Sequence, residues 1–286
     1  MSLPKISIVT PSYNQGQYLE DTILSVLGQN YANLEYIIID GGSTDNSVEI
    51  IKKYEKQLFF WVSEKDHGQS DALNKGFKIA TGDILGWLNS DDMYMPNVFN
   101  FVSQNIGNTK PILLFGNALH YNEKGVAYSS DVVNQHKELD LKLIDYIVQP
   151  STFWNRLTWE RLGGLSTELH FAFDWEWFIR ALDANVEFRP VQKALSIYRL
   201  QSSNKTQTGG KRRAQEIFEI YKQFKGAEVA NYYMSIFDNY SRIQQVEARV
   251  SICPSSRLRS LLRKFYMPSI FNNPLSKYYC RIKEML

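Results

Sequence analysis

The first hundred residues alternate short apolar runs with segments whose apolar positions recur every three or four residues. Lys5 to Thr10 (KISIVT) is a β-branched run that predicts a strand, closed by the turn residues Pro11-Ser12-Tyr13-Asn14-Gln15-Gly16. Leu19, Ile23, Val26 and Leu27 then share a helical face. Glu35 to Asp40 (EYIIID) is apolar without alternation, as a strand covered on both faces is. Beyond Gly41-Gly42-Ser43, the positions of Val48, Ile51 and Tyr54 predict a second helix. A third strand over Phe59 to Ser63, a helix over Ser70 to Ala80 and a fourth strand over Asp83 to Leu88 (DILGWL) complete the series. Strands separated by helices of this length predict a parallel sheet with right-handed crossovers, and a ligand beyond the carboxyl ends of its strands.

The pattern then changes. A helix near Asn97 to Gln104 precedes a strand-like Ile112 to Asn117, and the stretch 116–131 is hairpin-like. Helices fit Arg156 to Leu162 and Trp175 to Asp183, while Leu139 to Gln149 is ambiguous. From Lys211 onward the pattern is helical, with no internal repeat and no low-complexity tract. The expected organisation is a main domain over 1–210 and a helical extension over 211–286.

With 44% hydrophobic and 22% charged residues in a chain of 286, disorder, collagen and a disulfide scaffold are excluded. The two cysteines, Cys253 and Cys280, match no zinc spacing and point to a reducing compartment. The stretch Met1 to Ile6 carries no apolar signal segment, and no window reaches the roughly 18 apolar residues of a membrane span. The expected location is the cytoplasm. A net charge of +2 conceals an asymmetry: residues 251–286 carry seven Lys or Arg against Glu284 alone, so that tail is +6 and the rest of the chain −4. A mildly acidic body is a poor partner for nucleic acid.

The segments just past the predicted strand ends are Thr10 to Asn14, Asp40 to Asp45, Glu64 to Asp71 and Asn89 to Asp92, and they should converge on one site. Adjacent acids such as Asp91 and Asp92 raise each other's proton affinity unless a cation shares them; oxygen-only ligands suit magnesium or manganese. The alternative is a solvated loop with acids ahead of the next helix. Asp40 could accept from a nucleobase or a ribose hydroxyl, or could organise a turn with Ser43. Tyr13 could stack on a base or cover the sheet edge. Asp174, among Phe173, Trp175, Trp177 and Phe178, could be a base of raised pKa or a helix cap.

Together these segments resemble the signature of the family 2 glycosyltransferases with the GT-A fold. Thr10-Pro11-Ser12-Tyr13-Asn14, Asp40-Gly41-Gly42-Ser43-Thr44-Asp45 and Asn89-Ser90-Asp91-Asp92 carry the likeness, followed in the family's order by Gly163-Gly164-Leu165, Phe173-Asp174-Trp175-Glu176 and Tyr198-Arg199-Leu200. The likeness covers roughly residues 4–206. It implies a Rossmann-like, mixed but mainly parallel α/β sheet flanked by helices. It implies that Tyr13 and Asp40 bind the base of a nucleotide-sugar with Thr10 beside them, that Asp91 faces the ribose or donor sugar, that Asp92 holds a manganese or magnesium ion on the diphosphate, and that Asp174 is the base of an inverting transfer. The segment Glu64 to Gly76 resembles a subgroup in which it lines the donor pocket, so Asp66, Gln69, Asp71 and Asn74 are candidates, with His67 a solvated residue. Gln149 to Trp154 would lie on the acceptor side, with Trp154 either a sugar platform or core.

Two departures weaken the metal assignment: Asn89 stands where the family often has an acid, and Gln201 where it often has a histidine. The expected partners are a UDP-sugar and a saccharide or lipid-linked acceptor in bacterial surface polysaccharide assembly. A sugar-phosphate nucleotidyltransferase is disfavoured, because the loop after the first strand holds one glycine and no basic residue. A catalytically silent scaffold is opposed by the retained Asp40, Asp91, Asp92 and Asp174. In the tail, residues 254–266 place Leu258, Leu261, Leu262 and Phe265 on one helical face among Arg257, Arg259, Arg263 and Lys264. Leu275, Tyr278, Ile282 and Met285 repeat the arrangement. Contact with an anionic membrane, packing onto the acidic body and a dimer contact all remain open.

Overall fold

The computed structural model describes residues 3–201 and 205–286. The described residues up to 138 and from 146 to 201 form one compact unit; residues 139–145 with 205–286 form the other. The first unit begins with β1 (Ile6–Ser12), α1 (Gly16–Leu27), β2 (Leu34–Asp40), α2 (Ser47–Tyr54), β3 (Phe60–Ser63), α3 (Gln69–Ile79) and β4 (Ile84–Trp87). It continues with β5 (Met93–Tyr94), α4 (Val98–Asn105), β6 (Ile112–Asn122), β7 (Gly125–Ser129), α5 (Val132–Glu138), β8 (Thr152–Asn155), α6 (Arg156–Leu162), α7 (Phe173–Asp183) and β9 (Glu187–Arg199). The strands make one sheet in the order β3-β2-β1-β4-β8-β6-β9-β5, with β7 paired to β6.

The first four strands are parallel, as the alternating pattern predicts. β8 enters antiparallel between β4 and β6, β9 runs parallel to β6, and β5 closes the edge antiparallel to β9. The fold is therefore mixed α/β. The strands β8 and β9 are not predicted by the sequence pattern, and α7 starts at Phe173 rather than Trp175.

β1 and β2 are buried along nearly their whole length, which accounts for their unbroken apolar runs. Ile6, Ile8, Ile38, Leu19, Ile23 and Val98 share one hydrophobic layer with Ile84 and Phe153. Alternation along β4 and β8 sends Trp87 and Trp154 to the opposite layer, where their ring centroids lie 5.3 Å apart. Trp177 of α7 meets Trp154 at 4.9 Å and Phe77 of α3 meets it at 5.5 Å. Trp154 is thus core and offers no face to a sugar. Gly76 lets α3 approach the sheet: a Cβ there would stand 2.4 Å from Val9 Cγ1.

The second unit is helical: α8 (Lys205–Thr208), α9 (Gly210–Phe224), α10 (Ala227–Asp238), α11 (Tyr240–Ser251), α12 (Ser256–Tyr266), α13 (Pro268–Phe271) and α14 (Tyr279–Lys283). Ile217, Tyr233, Ile236, Ile243, Ile270 and Ile282 make its core. Residues 139–145 belong to this core as well. Leu141, Leu143 and Ile144 are buried, Tyr221 donates its hydroxyl to the Leu143 carbonyl at 2.6 Å, and Lys225 pairs with Asp140 at 2.9 Å. Among the described residues no helix is long and apolar enough to cross a membrane.

Candidate functional site

The register aligns the carboxyl ends of three strands, with Ser12 beside Asp40 and Asp40 beside Ser63. The loops that leave these ends are stitched together. Asn14, at φ 51°, accepts the Thr44 N–H at 2.8 Å and donates its own N–H to the Ser43 hydroxyl at 2.8 Å. Asp45 accepts from the Gly16 and Ser47 N–H groups at 2.9 and 3.0 Å. Burial pushes the Asp45 pKa up, but these bonds outweigh it and hold the carboxyl below its usual range. Tyr13 is left 61% exposed on this rim, an open aromatic face beside polar loops.

Asp40 lies under the rim rather than on it. Its carboxylate accepts the Ser43 hydroxyl at 2.5 Å, the Ser63 hydroxyl at 2.6 Å and the N–H groups of Gly42 and Ser43 at 3.1 and 2.9 Å. Four donors on one buried carboxylate fix the Gly41-Gly42-Ser43 loop. Thr10 is also wholly buried, its hydroxyl 3.1 Å from that of Tyr36. Its side chain faces the layer beneath the sheet and not the rim.

The segment before α3 packs against that loop. A Cβ on Gly41 would stand 2.7 Å from Asp66 Oδ2, so a larger residue there would displace the Asp66 carboxylate. Asp66 accepts the Gly68 N–H at 2.9 Å, and Asp71, in the first turn of α3, accepts the His67 N–H at 3.0 Å and lies 3.5 Å from Lys75. His67 itself is exposed. Asn74 makes a reciprocal pair with Leu165, 2.8 and 2.9 Å, and so pins the Gly163-Gly164-Leu165 turn onto α3. Gln69 donates to Asn89 at 2.8 Å and thereby joins α3 to the end of β4.

Past β4, Asp91 and Asp92 sit in a turn closed by the Asp92 N–H on the Asn89 carbonyl at 3.1 Å. Asp92 is 2% exposed, with Oδ1 accepting the Arg199 N–H at 3.0 Å and Oδ2 the Asn89 amide at 3.3 Å. Asp91 is the more open, and Gln201 donates to its Oδ2 at 2.7 Å. Burial raises the pKa of both, Asp92 well above the ordinary value because the Asp91 charge adds to it. Among the described residues no third His, Cys, Asp or Glu joins them to complete a protein cage. The donor set still fits a magnesium-type ion, which takes one or two carboxylates and fills its other places with water and phosphate oxygens. The excess negative charge of the pair is what such an ion relieves.

The sequence pattern missed Arg199. Its Nε donates to the Asp91 carbonyl at 3.0 Å, its guanidinium pairs with Asp21 at 3.1 Å and stacks on Tyr18, 4.7 Å from the ring centre. It holds the acidic turn from the end of β9. Gln149 is a second such residue: it donates to the Trp87 carbonyl at 3.0 Å and accepts from Asn89 at 3.1 Å. The only signal for either was its place in a recognisable element, Tyr198-Arg199-Leu200 or Gln149 to Trp154.

Asp174 stands in the first turn of α7, where the helix dipole favours a carboxylate. The capping position is Ala172, so Asp174 is not the cap; its Oδ1 accepts the Trp175 N–H at 2.9 Å. The start of α7 is drawn to the rim by Phe173, 6.4 Å from Trp87, and by the turn that Asn74 pins to α3. Trp177 and Arg180 lock the same turn from α7, donating to the carbonyls of Gly163, Leu162 and Gly164. An open aromatic ring and a buried acidic pair are thus carried on strand-end loops, and a carboxylate on the first turn of α7 behind the turn that Asn74 pins to α3.

A family model described as Glycosyl transferase family 2 matches residues 7–161. An uncharacterized glycosyltransferase of Haemophilus influenzae is 40% identical over 112 residues, 37% of this chain and 45% of the relative. The glycosyltransferase GlyG of Streptococcus pneumoniae is 33% identical over 121 residues, 41% of this chain and 40% of its own. TuaG of Bacillus subtilis, a putative teichuronic acid biosynthesis glycosyltransferase, is 39% identical over 94 residues, 32% of this chain and 37% of its own. These matches span less than half the length of each relative. Among solved structures, residues 1–349 of S. aureus TarS in complex with UDP-GlcNAc give a TM-score of 0.66 at 17% identity, covering 98% of this chain and 90% of that one. The mannosyltransferase PcManGT of Pyrobaculum calidifontis, in complex with GDP-Man and Mn2+, gives 0.63 at 16% identity, covering 99% and 87%.

Proposed function

The chain belongs to glycosyl transferase family 2 and is a glycosyltransferase, and from that premise we propose an inverting transfer of a sugar from a nucleotide-diphosphate donor, UDP-linked, to a hydroxyl of a saccharide or lipid-linked acceptor. One observation carries the proposal: Tyr13 and the Asp91–Asp92 pair stand on loops at one end of the sheet, Gln69 and Asn89 join α3 to the acidic pair, and Asn74 of the same helix holds the turn ahead of α7, whose first turn carries Asp174. TarS, crystallised with UDP-GlcNAc, and PcManGT, in complex with GDP-Man, share the fold and support a donor of this class. The proposed setting is the cytoplasm and the building of a bacterial surface polysaccharide, supported by the likeness to TuaG. A membrane surface is where a lipid-linked acceptor would be met.

In this proposal Tyr13 stacks on the base, and Asp40 acts from beneath by fixing the loop against which the nucleoside lies, with Thr10 buried behind it. Asp66 and Asp71 shape the start of α3, Gln69 reaches the acidic turn through Asn89, and Asn74 holds the turn ahead of α7 in place. Asp91 faces the ribose or donor sugar. The Asp174 carboxylate takes the proton of the acceptor hydroxyl as its oxygen attacks the anomeric carbon from the side opposite the diphosphate, which inverts that centre. A positioned base of this kind contributes typically 10²–10⁴ in rate. A manganese or magnesium ion held by Asp92 beside Asp91 would stabilise the charge that gathers on the departing diphosphate.

Calorimetric titration of UDP, GDP and dTDP, with and without manganese, tests the donor side on the wild type and Asp92→Asn. The expected result is UDP binding that manganese strengthens and that Asp92→Asn weakens. No nucleotide binding under any condition would overturn the donor site. Asp174→Asn should keep UDP binding while losing turnover, and a variant that loses both would overturn its role as the base.

A further inference from the structure

The two amphipathic stretches of the C-terminal unit have different fates. In the second, Ile282 and Met285 are buried in the helical core. In the first, α12, no residue is buried. Leu258, Leu261 and Phe265, at i, i+3 and i+7, form a single stripe, and they are 47, 63 and 78% exposed. Ile252, just ahead of the helix, adds a side chain 84% exposed.

The helix is nevertheless held firmly. Arg263, on the flank turned toward α11, makes a two-pronged ion pair with Glu247 of that helix at 2.9 and 2.7 Å. Ser255 caps the first turn through the Leu258 N–H. The exposed stripe is therefore presented on a fixed scaffold. Arg257 and Lys264, seven residues apart, run along one side of it, and both are exposed. A cavity of about 580 Å³ lies against α12; Glu247 and Glu284 line it along with Arg263, Lys264 and Lys283, so its charge is mixed and Lys264 belongs both to it and to the side of the stripe. Arg257, which does not line the cavity, adds its positive charge to the side of the apolar stripe.

We propose that the outward face of α12 docks the protein on an anionic phospholipid bilayer, with Leu258, Leu261, Phe265 and Ile252 entering the headgroup boundary and Arg257 and Lys264 against the lipid phosphates. Such a helix lies in the plane of the interface, its apolar side sunk roughly 5–10 Å. Charge favours lipid over a second copy of the chain, because a symmetric contact would set one +6 tail against another. The proposal does not depend on the donor or the catalytic residues.

The test is co-sedimentation of the full chain with vesicles of phosphatidylcholine alone and with vesicles containing one third phosphatidylglycerol. Binding is expected to the anionic vesicles, to weaken as salt is added, and to vanish in Leu261→Glu/Phe265→Glu. Arg257→Gln and Lys264→Gln should each lower the partition coefficient about fivefold, one surface cation's share. All four positions are exposed, so thermal midpoints and circular dichroism should match the wild type and separate lost docking from lost folding. Absence of binding to anionic vesicles, or binding unchanged in the double variant, would overturn the proposal. So would a dimer in gel filtration that the double variant dissolves while vesicles go unbound, since the face would then belong to a second copy.

Discussion

Arg199 acts on the acidic turn in two ways that a substitution can separate. Its main-chain N–H holds Asp92 whatever the side chain, while its guanidinium spans the Asp91 carbonyl and Asp21. Lysine keeps the charge but not the planar fork. Arg199→Lys should therefore weaken UDP binding about tenfold, the value of one or two such bonds, with little change in thermal midpoint; calorimetry beside a melting curve checks this. Glu35, on the opposite end of the sheet, is a structural counterpart. Burial pushes its pKa up, but Thr81, Ser7 and Lys5 together hold it down at about 2. A carboxyl depressed in the folded state stabilises the fold above its unfolded pKa and loses that contribution as pH falls toward the folded value. Urea midpoints should thus drop between about pH 4.5 and pH 2 for the wild type. They should drop less over that window for Glu35→Gln, which starts about 2 kcal/mol lower at neutral pH.

At the scale of elements, the parts legible in the sequence are those whose period is local. The strands β1 to β4 and the helices between them follow from unbroken apolar runs and helical spacing, and the strand-end rule drew attention to the segments holding Tyr13, Asp91 and Asp92. β9 was illegible because Pro190 and the polar Gln192 and Lys193 interrupt it, and it is half-buried over much of its length. Its pairing with β6 comes from residues far away in the chain. β8 has only two apolar residues, Phe153 and Trp154, between the polar Thr152 and Asn155, too short an apolar run to mark a strand. Arg199 was hidden for the same reason, since its partner Asp91 lies 108 positions earlier. Nor could sequence tell that Asp40 spends its carboxylate on four donors of its own unit, because Ser63 arrives from another strand. Close packing of α3 on the sheet makes a further prediction: Gly76→Ala pushes a methyl group into Val9, and overpacking of this kind costs about 1–3 kcal/mol. Urea unfolding with an unchanged slope would register it.

For the whole molecule, the division into units does not follow the order of the chain. Residues 139–145 lie within the span of the first unit and are counted in the second, where Leu141, Leu143 and Ile144 are buried and Tyr221 binds the Leu143 carbonyl. A chain ended at residue 204 should accordingly leave three apolar side chains bare; gel filtration should show it aggregating where the full chain does not, and Leu141→Ser/Leu143→Ser/Ile144→Ser in the shortened chain should relieve that. The same feature has a consequence during synthesis. Tyr221 follows Leu143 by 78 residues, and a ribosome adding about 5–20 residues per second needs roughly 4–16 s to supply it. Throughout that interval the nascent chain carries a bare apolar loop, which makes it a client for whatever holdase waits at the tunnel mouth.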